Sequence, residues 1–191
     1  MLQIIKDRIQ ESIDTKKDFL NNSQELKNIE SIANLMIDCY HNGGKILVAG
    51  NGGSASDAQH FVAELVGRFL KERKALPAIA LTANTSNLTC ISNDYSFDDV
   101  FARQVEGLGN PGDIFVGITT SGNSKNIANA MEKAKTQGLK TIGFLGKYGG
   151  VCKNLSDEYI CPQGSTARIQ EFHILLIHIL CELIENNLFG E

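Results

Sequence analysis

The sequence predicts an α/β fold: a doubly wound, five-stranded parallel sheet flanked by helices, with two helices leading into it. Short apolar runs recur along the chain, and segments able to form helices separate them. The first run, Lys45-Ile-Leu-Val-Ala49, is apolar without alternation, as expected of a strand covered on both faces. Strands alternating with helices are the rhythm of βαβ units, whose strands lie parallel.

The elements follow in order. Leu2, Ile5, Ile9 and Ile13 recur at helical spacing in a polar background, and a second periodic stretch runs from about 26 to 40. His41-Asn42-Gly43-Gly44 breaks that pattern before the first strand. Further strands are expected at 77–81, 113–118, 140–145 and 158–161, with helices at 54–70, 97–107 and 124–137. A last helix, about 167–188, carries apolar residues in nearly every direction around its axis. Such a helix must be buried on more than one side, which predicts a homo-oligomer with this helix at an interface; burial inside one subunit is the alternative. A single domain over 1–191 is expected, with 1–41 as a helical extension and 42–191 as the α/β core.

Composition narrows the function. Eighteen basic against 22 acidic residues give a net charge of −4, and no Lys/Arg stripe forms, so nucleic acid is not the expected partner. The charged N-terminus lacks the form of a signal peptide, and no stretch reaches the ~20 apolar residues that span a bilayer. No membrane association is expected. Five cysteines without a CxxC pair read as reduced thiols in a cytoplasmic protein.

In open α/β sheets, ligands sit beyond the carboxyl ends of the strands. Two loops there are unusual. Gly50-Asn51-Gly52-Gly53-Ser54-Ala55-Ser56-Asp57 leaves the first strand with three glycines that let backbone approach a ligand. It formally satisfies a loose dinucleotide fingerprint, but the second strand ends in Leu81-Thr82-Ala83-Asn84, without the carboxylate that would hold a ribose. Thr119-Thr120-Ser121-Gly122-Asn123-Ser124 again joins a strand to a helix and offers four hydroxyls beside backbone donors, a composition suited to a phosphate monoester. An ordinary Ser/Thr helix cap is the competing reading of that loop.

Helix 54–70 places His60 and Glu64 on one face, with Arg68 a turn further along. A solvated i,i+4 pair is the plain alternative, but the apolar neighbours Phe61, Val62, Leu65 and Val66 imply burial, which suits Glu64 as a general base. His60, Glu64, Gln170 and His178 together offer a borderline nitrogen and oxygen set for zinc, although their spacing forms no compact motif and a satisfied core histidine is the alternative for His178. Gln170 and His178 lie eight residues apart, about 12 Å of rise and roughly 80° of azimuth on a regular helix. Directing both at one ion requires an irregular helix or a contribution from a neighbouring subunit.

Taken together, GNGGSASDAQHFVAELVGRF (50–69), SNDYSFDDVFARQV (92–105), TTSGNS (119–124) and ARIQEFHILLIHILCELIE (167–185) resemble the phosphoheptose isomerases of the sugar isomerase (SIS) domain superfamily. The resemblance covers nearly the whole chain. It implies a SIS domain of flavodoxin-like or Rossmann-like architecture, and conversion of D-sedoheptulose 7-phosphate into D-glycero-D-manno-heptose 7-phosphate, an early step toward ADP-heptose and lipopolysaccharide or other surface glycans. It assigns phosphate binding to Thr119, Thr120, Ser121 and Ser124, and contacts along the sugar to Asn51, Gly52, Gly53, Asn93 and Asp94. Ser54, His60, Glu64, Arg68 and Gln170 complete the expected substrate shell. Zinc falls to His60, Glu64, Gln170 and His178, and acid–base work to Glu64 with His178. The family's sites lie between subunits of a homotetramer. Ala167 departs from the pattern, since some relatives carry Asp there, and this bears on one secondary substrate contact. A non-catalytic SIS module that binds a phosphosugar or a replication-initiator-type protein is the alternative; it needs the hydroxyl loop but no acid–base set.

Overall fold

A computed structural model describes residues 1–190; Glu191, the last residue of the expected domain, lies outside the described residues. Two helices lead the chain, α1 (Leu2–Leu20) and α2 (Ser23–His41). Asn22 separates them because its side chain accepts the Gln24 and Glu25 N–H groups at the start of α2. There follow β1 (Ile46–Gly50), α3 (Gly53–Val66), β2 (Ala78–Ala80), α4 (Thr85–Asp94), a 3-10 turn (Phe97–Asp99), α5 (Ala102–Leu108), β3 (Ile114–Ile118), α6 (Lys125–Thr136), β4 (Lys140–Phe144), α7 (Gly150–Leu155), β5 (Glu158–Ile160) and α8 (Thr166–Phe189).

All neighbouring strands pair in parallel, in the order β2-β1-β3-β4-β5. The two faces are filled by alternate residues of the same strands. Ile46, Val48, Val116, Ile142 and Phe144 pack with Phe61 of α3, Met36 of α2 and Leu176 and Leu180 of α8. Leu47, Ala49 and Phe115 face Val105 of α5, Ile127 and Met131 of α6 and Cys152 of α7. Burial on both faces is why these strands read as unbroken apolar runs. The winding direction reverses between β1 and β3, so the loops that follow these two strands open side by side at the switch point.

Four local features differ from the sequence reading. Helix α3 ends at Val66, not at 70, because Gly67 becomes its C-cap and donates its N–H to Ala63 O at 2.8 Å. Arg68 therefore lies beyond the helix instead of one turn along the Glu64 face, and its exposed side chain meets Glu72 at 3.7 Å. The expected helix 97–107 divides into the 3-10 turn and α5. Helix α4 was not singled out; it buries no residue fully and packs Leu88 and Ile91 part-buried against the core, too short an apolar period to read. Helix α8 is, by length and composition, apolar enough to cross a membrane, which corrects the expectation that no stretch reaches that threshold. Its packing against α2 and α3, with Ile169, Phe172, Leu176, Ile177, Leu180 and Ile184 buried, makes it a core helix.

Candidate active site

The Thr119–Ser124 loop caps the carboxyl end of β3 and leads into α6. Its first residue is anchored in the sheet, where Thr119 N–H donates to Phe144 O at 2.9 Å. From there three hydroxyls converge: Thr119 Oγ1 lies 3.0 Å from Ser124 Oγ and 3.3 Å from Ser121 Oγ. Gly122 makes the turn possible, with φ of 69°, and a β-carbon there would collide with the Gly149 carbonyl. The outer side of the loop is tied down as well. Cys152 N–H donates to Gly122 O, and Asn123 Oδ1 accepts from Val151 N–H at 3.0 Å.

One detail separates the two readings of this loop. Ser124 occupies the N-cap position of α6, yet its side chain makes no capping hydrogen bond. The hydroxyl turns toward Thr119 instead. The first-turn N–H groups of α6 and the hydroxyl cluster thus stand at the same end of the helix, the arrangement that phosphate binding at a helix N-terminus uses.

Across the switch point, β1 ends in Gly50 and the chain turns through Asn51 and Gly52, whose φ is 55°. Asn51 is held by an amide pair with Asn126 of α6, each donating to the other at 2.9 Å. Asn126, buried at 3% exposure, is a residue sequence reasoning missed; its position two residues after Ser124 was the only signal. Ser54 is buried beneath the turn, where a β-carbon at Gly50 would strike it. Gly53 is a close-approach position: a β-carbon there would collide with the Gln170 amide.

The acid–base candidates meet between α3 and α8. His60 Nε2 lies 3.0 Å from His178 Nε2 and 3.3 Å from Glu64 Oε1. The three ligand atoms all lie within 4.8 Å of one another. Two imidazole nitrogens at this distance need either one proton between them or a shared cation, because two donors or two lone pairs would repel. The Phe69 ring stacks on His178 at 5.5 Å between centroids and 19° between planes, which fixes the imidazole orientation. Glu64 is less buried than its apolar neighbours imply, with 22% of its side chain accessible, and so remains reachable by a substrate.

The remaining predicted residues are distributed around these two centres. Within one chain, α8 directs His178 at His60 and Glu64 but Gln170 at Gly53, toward the other end of α3. Gln170 also neighbours Asp57, a buried carboxylate missed in the sequence although it stands only one turn before His60. Burial raises the Asp57 pKa above the usual carboxylate value, against the lowering influence of the Gln170 amide and of His60. Asn93 and Asp94 close α4 as an exposed pair, Asn93 donating to Asp94 at 2.9 Å, without a hydrogen bond to the loop or the triad.

The comparisons with known proteins concern the chain as a whole. Residues 11–146 match the model of the SIS domain family. A phosphoheptose isomerase of Clostridium acetobutylicum is 52% identical over all of this chain and 98% of its own. Among solved structures, the phosphoheptose isomerase of Neisseria gonorrhoeae superposes with a TM-score of 0.91 at 43% identity, covering 97% of this chain and 100% of that one. The enzyme of Francisella tularensis gives 0.92 at 41% identity, covering 97% and 98%. A five-stranded parallel sheet with its helices, matched nearly end to end by these relatives, places the assignment: the chain belongs to the SIS domain family and, within it, to the phosphoheptose isomerases.

Proposed function

We propose that the protein isomerises D-sedoheptulose 7-phosphate to D-glycero-D-manno-heptose 7-phosphate through an enediol, with the two centres just described dividing the work. The observation that carries this reading is the His60, Glu64 and His178 cluster, because a module that only binds phosphosugars needs no such set. Thr119, Thr120, Ser121 and Ser124, with the N-terminus of α6, hold the phosphate. Asn51, Gly52, Gly53, Ser54, Asn93, Asp94 and Gln170 line the path of the sugar, and Arg68 contributes from the exposed segment after α3. Glu64 removes the proton beside the ketone, and His178 protonates the enediol oxygen when its Nε2 carries a proton and not a cation.

The donor set fits a divalent cation. Two of the three separations, 3.0 and 3.3 Å, match the ~3.3 Å between ligand atoms expected for tetrahedral zinc with bonds of ~2.0 Å, and the third pair lies within 4.8 Å. His60, Glu64 and His178 would hold the ion, and Gln170, which within one chain lies against Gly53, would complete the set from a neighbouring subunit. Bound zinc supplies a Lewis acid for the substrate carbonyl. Glu64 turns Oε1 toward His60, which leaves its second oxygen for the proton.

The assembly is a homotetramer with active sites at its interfaces. Leu2, Ile5, Ile9 and Ile13 form an exposed apolar stripe on α1, and Leu183 is exposed on α8, surface that a second copy covers. On this reading 1–191 is one SIS domain, with 1–41 as the extension that packs in the oligomer and 42–191 as the core. The enzyme works in the cytoplasm and feeds ADP-heptose synthesis for lipopolysaccharide or another surface glycan. Incubation with sedoheptulose 7-phosphate, followed by NMR with and without a chelator, tests the proposal. Appearance of the aldose supports it, and slowing by chelation supports the metal; absence of any aldose under both conditions would leave only a binding module.

A further inference from the structure

Glu64 stands in the last turn of α3, two residues before the helix ends at Val66. Carbonyls in that turn have no intrahelical partner, and helix ends fray unless something caps them. His178 projects from α8, and Glu185 lies seven residues further on, on nearly the same face of that helix. Glu185 and Arg73 form an ion pair at 2.9 Å whose side chains are only 2% and 1% accessible. A buried ion pair is weak evidence of stabilisation, since well-packed apolar residues often serve as well. Its placement is more informative.

The Glu185 carboxylate is fully engaged. Oε1 accepts from Phe69 N–H and from Arg73 Nε, both at 2.9 Å. Oε2 accepts from the N–H groups of Leu70 at 2.8 Å and Lys71 at 3.0 Å. Arg73 then turns its other nitrogens onto the open end of α3. Nη2 donates to Glu64 O at 2.8 Å, and Nη1 to Leu65 O at 2.7 Å and Gly67 O at 3.2 Å. The same turn carries Phe69, whose ring stacks on His178. One carboxylate on α8 therefore reaches both halves of the triad: through Arg73 it caps the turn that bears Glu64, and through Phe69 it braces the imidazole of His178. Burial works to raise the Glu185 pKa, but three N–H groups and Arg73 outweigh it and hold the group below the ordinary carboxylate value.

We propose that Glu185 and Arg73 are positioning residues for the isomerisation, a clamp that holds Glu64 and His178 at ligand distance from His60 without touching substrate. This rests on the assignment of His60, Glu64 and His178 to the chemistry. The test compares Arg73→Lys, which keeps the charge but loses the fork, with wild type in three measurements: melting temperature, zinc affinity of the chelator-stripped protein by calorimetry, and steady-state kinetics. A folded Arg73→Lys variant is expected to lose ~10-fold or more in both zinc affinity and kcat, the range seen when outer-shell partners of metal ligands are removed. KM for sedoheptulose 7-phosphate should stay within about threefold, because the phosphate loop is untouched. Wild-type zinc affinity and kcat in that variant would overturn the clamp. Should Arg73→Lys fail to fold, the double substitution Glu185→Leu with Arg73→Met, which removes both charges from the core together, is read by the same measurements and decided by the same outcomes. Glu64→Gln runs alongside: normal turnover there would remove the site assignment itself, whereas its inactivity together with an unaffected Arg73→Lys would sink the clamp alone.

Discussion

The Thr119–Ser124 loop and the His60/Glu64/His178 triad are built on opposite principles. The loop is fixed by backbone: a strand anchors its start, a left-handed glycine shapes its turn, and α7 holds it from outside. The triad is fixed by side chains on two helices, one of them in its last turn, which Arg73 caps. A rigid backbone cradle suits a phosphate that does not change during the reaction. A side-chain cluster with adjustable ligands suits the end of the sugar where bonds change. The difference teaches that binding and proton transfer should be separable by mutation, since few hydrogen bonds are shared between the two regions.

The largest effect that would sharpen this contrast lies in the triad. Glu64→Gln should lower turnover ~100-fold or more, as expected for loss of a general base; near-normal turnover in a steady-state assay would break the division at its centre. The next tests the joint between the regions. His173 Nε2 donates to Leu145 O at 2.7 Å, tying α8 to the strand end beside the loop. Burial lowers the His173 pKa from 6.5 to about 4, against the raising influence of that hydrogen bond. The group is thus neutral in the folded protein but protonates near its ordinary value when unfolded. Its contribution is fully present above pH 6.5 and is lost as pH falls through about 4, a loss of up to roughly 3 kcal/mol. Melting temperatures should therefore drop between those limits in wild type and drop less in His173→Gln; equal pH dependence of the two would contradict the assignment.

Smaller effects belong to the loop. Ser124→Ala should raise KM about tenfold with kcat within about twofold, the pattern of a binding contact shared by ground and transition states. Equal losses in kcat and kcat/KM would show that the loop takes part in the chemistry. Smallest is Asn126→Ala, which frees Asn51 from its amide pair. A KM increase of about threefold is expected from kinetics, in line with one net hydrogen bond.

How much of this was legible in the sequence follows from what each feature requires of its residues. Strands covered on both faces must be continuously apolar, so β1 and β3 were plain, and the hydroxyl loop stood out by composition. His60 and Glu64 were legible because i,i+4 spacing is a local rule. Helix α4 was not, since it brings Leu88 and Ile91 to the core only part-buried, too few apolar positions to set a period. The end of α3 at Gly67 was read too late because the apolar pattern runs on through Phe69 and Leu70, whose N–H groups serve Glu185 from 115 and more residues away. His173 and His178 share one apolar helix, and only tertiary packing distinguishes the buried core histidine from the one that meets His60 and Glu64. Helical rise and azimuth indicated that Gln170 and His178 would not converge on one ion from one regular helix; that they fall against Gly53 and His60 of α3 was not legible.

The central claim is that phosphate recognition and proton transfer reside in separate structures. Calorimetric titration of Glu64→Gln with sedoheptulose 7-phosphate tests it most directly, because that variant should hold substrate without converting it. Affinity within about threefold of the wild-type value for a non-reacting sugar phosphate is the expected result, since the hydroxyl loop is intact. A fall of more than about tenfold in a folded variant would mean that Glu64 carries substrate binding itself, and the division would not stand.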